Sequence, residues 1–219
     1  MPHLIVGAGG VASWLVPLLK HTLPADIKIM LVDGDQLEMR NLDRQFFGME
    51  YIGWNKAEAL AHMYGLEYDP AYLSRDSRLV LNQEEVWSTI WCCADNHPAR
   101  KLVLELVDED KSPLCIIGGN EYTDSEAYAY TADRKGTSSD PRIFYPELCD
   151  DETGDPLNPY ACQGVAQRAN PQLALANYLA AGMMVHLWWF IAHHGHEVSM
   201  DNWPKVHQSN FAMFNTRHL

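Results

Sequence analysis

Apolar runs alternate with helical periods along the first half of the chain. His3-Leu4-Ile5-Val6 is a strand-like run that ends in the glycine turn Gly7-Ala8-Gly9-Gly10, and Val11–His21 follows as a helix interrupted near Pro17. IKIMLVDGD reads as a second strand. Residues Asn55–Tyr64 place Ala57, Leu60, Ala61 and Tyr64 on one helical face. A short strand is expected at Leu79–Leu81, and Ser88–Ala94 is continuously apolar, as a strand buried on both faces would be. His97–Val107 is helical and Pro113–Gly118 is another strand. This alternation predicts an α/β fold, Rossmann-like, with a mostly parallel sheet, right-handed crossovers and flanking helices.

The character changes after Gly119. GNEYTDSEAYAYTAD alternates as an antiparallel strand does, which adds an antiparallel C-terminal extension to the sheet. Arg134–Tyr160 is rich in Asp, Pro, Gly and Ser and is read as a long loop, of a length that is usually functional or mobile. A helix from about Pro171 to His193 contains Tyr178–Ala192, the most apolar stretch, which is short for a bilayer and carries His186; a buried helix is expected. FAMFNT near the end reads as a last edge strand. No repeat or linker divides residues 1–219, so a single domain is expected, with a mobile crossover loop at about 134–162.

Composition narrows the function. The net charge of −13 argues against nucleic acid, which demands clustered Lys and Arg, and against an anionic membrane surface. The cysteines at 92, 93, 115, 149 and 162 are odd in number and lack a small-scaffold spacing; with no signal peptide read at the start, a reducing cytoplasm is expected. Cys92, Cys93 and Cys115 fall in apolar strands and read as core, and the absence of any CxxC pair leaves no obvious four-ligand zinc site. His193, His194 and His196 read as a solvated helix end rather than a metal site.

Candidate chemistry begins at Gly7, Gly9 and Gly10. Glycines between a strand and a helix let the backbone approach a phosphate, and the helix start offers free N–H groups. Asp33 follows about twenty residues later, where a ribose-binding acid sits in dinucleotide folds. These features suit NAD, FAD, SAM or ATP equally. The loop VDGDQLEMRNLDRQFF then adds Asp35, Asn41, Arg44 and Gln45, and Lys56 comes soon after. Cations and amides this close to a ribose acid point to a triphosphate. Phe46 and Phe47 are expected to anchor the loop in the core, while Arg40 and Asp43 read as ordinary surface. Asp95, after the strand STIWCCA, should reach the same carboxyl edge, where a carboxylate can hold Mg²⁺ against phosphate oxygens.

GAGGVAS, VDGDQLEMRNLDRQFF, GWNKAEALA and ADNHPAR together resemble, in order and spacing, the motifs of the ThiF/MoeB/ubiquitin-activating adenylyltransferases. The resemblance is strong over about residues 4–130 and weaker beyond 160. It implies that ATP is bound with its ribose on Asp33 and its phosphates on Asn41, Arg44 and Lys56. Asp35 and Gln45 would be supporting members, and Asp95 would coordinate Mg²⁺. The reaction implied is adenylation of a carboxylate with release of pyrophosphate. In this family the carboxylate is usually the C-terminal glycine of a ubiquitin-like or sulfur-carrier protein.

Cys162, in "ACQGVAQ", partly matches a cysteine that takes up the activated carrier in ThiF-like proteins, and Cys149 is a second choice. Some relatives supply an arginine from an N-terminal helix across a dimer; this chain opens on its first strand, so Arg100 or Arg134 is considered as a substitute. The size resembles compact forms encoded by mobile elements, plasmids or phages, such as the small ThiF-like protein of PRTRC-type gene clusters. Relatives are dimeric, and Trp188, Trp189 and Phe190 offer apolar surface, so a homodimer is expected. The competing readings are a non-catalytic partner subunit of a heterodimeric activating enzyme, an enzyme acting on a peptide or small carboxylate, and a nicotinamide dehydrogenase. The last leaves the NLxRQ stretch and the second acid unexplained.

Overall fold

A computed structural model of the chain describes residues 2–77, 87–110, 113–120, 124–150, 174–195, 206–210 and 215–218. The first strand, β1 (His3–Val6), lies between β2 (Ile29–Val32) and β4 (Thr89–Cys92), all parallel. Beyond them β3 (Glu67–Asp69) pairs with β2 and β5 (Leu114–Asn120) pairs with β4, again in parallel. Antiparallel strands β6 (Asp124–Tyr130), β7 (His207–Asn210) and β8 (Asn215–His218) extend the β5 side. The order is β3-β2-β1-β4-β5-β6-β7-β8, so the expected mixed α/β sheet is present.

Two layers cover the sheet because each buried strand alternates its side chains across the faces. One face, with Ile5, Leu31, Trp91 and Ile116, packs on α1 (Gly10–Thr22), α2 (Lys56–Tyr64) and α6 (Ala174–His194) through Leu15, Leu19, Leu60, Met184 and Leu187. The other face, with Leu4, Val6, Ile90, Cys92, Cys115 and Ile117, packs on α3 (His97–Asp110) through Val103, Leu104 and Val107. Helix α6 is long and apolar enough to cross a membrane by length and composition. In the fold it lies on the sheet, burying Ala180, Ala181, Met184 and Leu187. Cys92, Cys93 and Cys115 are core residues, as their strands imply.

Several boundaries differ from the pattern-based reading. The third strand is Glu67–Asp69, an edge strand with two exposed side chains and therefore no apolar run to mark it; the expected strand at 79–81 lies outside the described residues. Helix α1 runs through Pro17 and α3 extends to Asp110. Strand β7 carries a polar sequence, HQSN, and was not foreseen; β8 falls just after the apolar FAMF, which lies outside the described residues with 151–173.

The first part of the polar stretch after Arg134 is structured rather than loop-like. Short helices α4 (Pro141–Phe144) and α5 (Glu147–Asp150) form there. A charged staple holds them. Arg142 donates to Asp108 of α3 at 2.8 Å and to both oxygens of Asp140 at 2.8 and 2.9 Å, while Lys135 reaches Asp108 at 2.8 Å and Tyr130 donates its hydroxyl to Asp108. Asp140 also caps α4 by accepting the Arg142 N–H.

At the amino edge of the strands His3 is buried at 4% exposure, and its Nδ1 accepts the Trp91 indole N–H at 2.9 Å. Trp188 packs edge-on against the His3 ring and donates to Thr89 at 3.2 Å. Burial, with a smaller push from the nearby N-terminal charge, lowers the imidazole from its usual 6.5 to about 4. The unfolded chain therefore binds a proton that the folded chain refuses. The stability contributed by neutral His3 is complete above pH 6.5 and is lost as pH falls towards 4. Denaturant midpoints measured between about pH 7.5 and about pH 4.5 should fall by the equivalent of up to about 3 kcal/mol more in the wild type than in His3→Gln, which keeps an acceptor without the titration.

Candidate functional site

The carboxyl ends of β1, β2 and β4 meet where the strand order reverses, the place at which open α/β sheets bind ligands. Gly7 leaves β1 with φ +87, and a Cβ there would stand 3.0 Å from the Ala94 nitrogen, so the turn backs directly onto the chain leaving β4. Asp95, half-exposed, is the next residue along that chain. Helix α1 then starts with no side-chain cap and no acid in its first turn. Gly9 is open: a Cβ there would meet only Gln45 Nε2, at 3.9 Å. Uncapped N–H groups at a helix start with an open face are suited to an anion.

Asp33, at the end of β2, closes the turn from the other side. Its Oδ2 accepts the Ala8 N–H at 2.6 Å and its Oδ1 accepts the Asp35 N–H at 2.7 Å. Burial raises its carboxyl above the usual carboxylate range, against the opposing pull of Lys56 and the two backbone N–H groups. Each oxygen keeps a second lone pair, so a sugar hydroxyl could still be accepted.

Asp35 sits in a different balance. Burial pushes its carboxyl up, but the Lys56 ammonium at 2.8 Å and the Tyr72 hydroxyl outweigh that, and the group is held below its ordinary value. Tyr72, an exposed residue following β3, lays its ring against Gly34, where a Cβ would meet it at 2.6 Å. Asn55 caps α2 by accepting the Glu58 N–H at 3.1 Å, and its Nδ2 donates to the carbonyls of Asp33 at 2.7 Å and Asp35 at 3.1 Å. Asn55 thus brings Lys56 to the loop by fixing the start of the helix that carries it.

The rest of the loop is held locally. Asn41 is buried, and its Oδ1 accepts the Glu38 N–H at 2.9 Å, so that part of the amide supports a 3-10 turn at Met39–Asn41. Arg44 has a side chain only 11% exposed and donates to the Arg40 carbonyl at 3.1 Å, with Asp43 at 3.7 Å. Gln45 is buried and its Oε1 has no hydrogen-bond partner among the described residues. Arg40 and Asp43 are exposed as expected, Arg40 pairing with Glu38 at 2.8 Å. Only Phe47 anchors to the core; Phe46 is 47% exposed and stacks on Trp14 at 4.7 Å, a correction to the expected pair of anchors.

The glycine turn, Asp33, Asp35, Lys56 and Gln45 are therefore gathered by direct contacts, and Asp95 is delivered to the same edge by the sheet. Of the proposed substitute cations, Arg100 lies at this edge, donating to the Ala94 carbonyl at 3.0 Å. Arg134 does not: it is buried near the opposite edge and donates to the Ala129 carbonyl at 3.1 Å. Cys162 and His196 lie outside the described residues, and Cys149 is exposed on α5. Trp188 and Phe190 pack against the core, so of the expected dimer aromatics only Trp189 is exposed, at 43%. Among the described residues no group of three or more His, Cys, Asp or Glu is placed to hold a metal by itself. Tyr72 and Asn55 were not singled out from the sequence. The Asn55…Glu58 capping pattern was the available sign for Asn55, whereas nothing local marks Tyr72.

Gly7→Ala should lower stability by about 1–3 kcal/mol, because alanine resists positive φ and its methyl would press on the Ala94 backbone; thermal melting checks this, with Gly136→Ala, at φ +72 but in open space, separating strain from crowding.

The profile of the ThiF family matches residues 2–192. Comparison with curated proteins finds no match. Among solved structures, PaaA, crystallised as the selenomethionine protein, is 18% identical with a TM-score of 0.68, the match covering 100% of this chain and 72% of that one. Escherichia coli MccB with ATP is 17% identical with a TM-score of 0.65, covering 100% of this chain and 63% of MccB. MccB, described as a microcin C7 biosynthetic enzyme, in complex with N-formylated MccA is 16% identical with a TM-score of 0.63, and 64% of its length is covered. The chain thus spans less than two thirds of the MccB chains it matches.

Proposed function

The chain belongs to the ThiF family, and from that premise and the geometry of its glycine turn we propose that it binds ATP and adenylates a carboxylate. The observation that carries the reading is the Asp33 carboxylate hydrogen-bonded to the Ala8 N–H of the uncapped turn. It sets a ribose acceptor and a phosphate cradle side by side. Lys56, at the start of α2 and on Asp35 at 2.8 Å, supplies a cation against this loop, and Arg44 would supply a second.

The residues present fit a nucleoside triphosphate. Asp33 retains lone pairs for the ribose hydroxyls, Gly9 leaves the phosphate face open, and Gln45 brings its Nε2 donor to that face. Asn41, whose Oδ1 is already used, contributes through the turn it supports and through its Nδ2. Mg²⁺ would be held by Asp95 together with phosphate oxygens, and would neutralise charge there. In the step itself a substrate carboxylate oxygen forms a bond to the α-phosphorus, the bond to the bridging oxygen breaks, and pyrophosphate leaves. The protein's own part is positioning and charge stabilisation by backbone N–H groups, Lys56 and Arg44.

The substrate class we infer is the C-terminal glycine of a ubiquitin-like or sulfur-carrier protein, taken by a cytoplasmic homodimer, with Cys162 the first candidate for later transfer. A peptide carboxylate is the second reading, favoured by the structural likeness to MccB, which was solved with MccA. A non-catalytic partner subunit is the alternative of a different class; the presence of Asp33, Asn41, Arg44, Lys56 and Asp95 together in the sequence opposes it, since a scaffold would be free to lose them.

Calorimetry with ATP and Mg²⁺ should show binding, and Asp33→Asn should weaken it about tenfold or more. With a carrier or peptide ending in glycine, ATP–pyrophosphate exchange should appear and should fall at least about a hundredfold in Arg44→Ala. ATP binding without exchange for any such substrate would favour the partner subunit, and no binding at all would overturn the reading.

A further inference from the structure

Asn177, in the first turn of α6, is fully buried yet polar. Its Nδ2 donates to the Arg44 carbonyl at 3.0 Å, across the gap between the last long helix and the loop after β2. Among the described residues its Oδ1 has no hydrogen-bond partner. The amide lies flat against Gly10: a Cβ there would stand 2.5 Å from Oδ1 and 2.6 Å from Nδ2. A side chain chosen only to pack α6 on α1 would be apolar, since a buried acceptor without a donor costs stability. The amide therefore belongs with what it touches, which is the glycine turn and Arg44.

The contacts around it form a clasp. Phe46 N–H donates to Ser13 Oγ at 2.9 Å, and Ser13 Oγ donates to the Gly10 carbonyl at 2.8 Å. Gln45 reaches over Gly9 between these two points. Residues 44–46 are thus fastened to the start of α1 by Ser13 on one side and by Asn177 on the other. The Arg44 carbonyl, on the peptide that joins Arg44 to Gln45, is the part Asn177 holds. On its other side the same turn of α6 is fastened to β6, where Ser125 Oγ donates to the Ala176 carbonyl at 2.8 Å.

We propose that Asn177 is a positioning residue for the triphosphate: from α6 it locks the Arg44–Gln45 backbone over the glycine turn, so that the phosphate grip is assembled before nucleotide arrives. This inference rests on the reading of the chain as an ATP-binding protein. It requires that the nucleoside half, centred on Asp33, be indifferent to Asn177, while the phosphate half depends on it.

The experiment is calorimetric titration of ATP with Mg²⁺ and, separately, of adenosine, on wild type, Asn177→Asp, Asn177→Ser and Ser125→Ala, with melting curves for each. Asn177→Asp sets an acceptor against the Arg44 carbonyl, and Asn177→Ser is too short to reach it. Both should weaken ATP about tenfold or more and leave adenosine within about twofold. Ser125→Ala loosens the same helical turn without touching the clasp, and should lower the melting temperature without changing the ATP-to-adenosine ratio. Wild-type protein that binds ATP while both Asn177 variants keep its ratio overturns the inference alone. A ratio shifted equally by Ser125→Ala also overturns it, reducing Asn177 to general helix docking. Wild-type protein that binds no ATP overturns the reading on which the inference stands.

Discussion

The site depends on one buried carboxylate. Asp33 follows β2 directly, yet its Oδ2 accepts from the N–H of Ala8, which belongs to the turn after β1. A charged group at 9% exposure is tolerable only with such donors, and the turn in turn acquires a fixed conformation from it. The neighbouring pieces hang on this joint. The Asp35 N–H completes the carboxylate, Asn55 ties the carbonyls of both residues to the start of α2, and that helix carries Lys56. Disturbing Asp33 would disturb two strands, a helix start and a cation together.

The parallel part of the sheet and the antiparallel part serve different ends. Parallel strands deliver Asp33 and Asp95 to one edge, and their crossovers supply the helix starts there. The antiparallel strand β6 presents Ala127 and Ala129 to the face on which α6 rests, while the Asp108–Arg142–Asp140 staple ties down the opposite, α3 face at the other edge. Helix α6 thus joins the two parts. It packs on β5 and β6 and touches the glycine turn through its first turn.

How much of this was legible in the sequence follows from contact range. The glycine turn, Asp33 and the polar loop announce themselves because their chemistry is local and their spacing unusual. Lys56 is legible as part of the same pattern, and Asn55 could have been read as a cap. Asn177 and Tyr72 were missed because their partners lie 133 and 37 residues away, and neither sits in a motif. Phe46 and Phe47 read alike as apolar neighbours; their fates diverge because one faces Trp14 at the surface and the other the core. Strands β3 and β7 escaped for a simpler reason: sheet pairing, not apolar pattern, makes them strands.

The pairing of Lys56 with Asp35, like that of Arg44 with Asp43, bears on how an anion would reach this site. Each cation already has a carboxylate beside it, on a protein of net charge −13. Beyond about a Debye length, ~10 Å at about 0.1 M salt, these paired cations offer an anion little attraction, and the net charge opposes it. Attraction begins only at close range, where the helix start and the ammonium act without intervening solvent. Long-range steering would therefore add little to the capture of an anion here, and its affinity would rest on contacts made at short range.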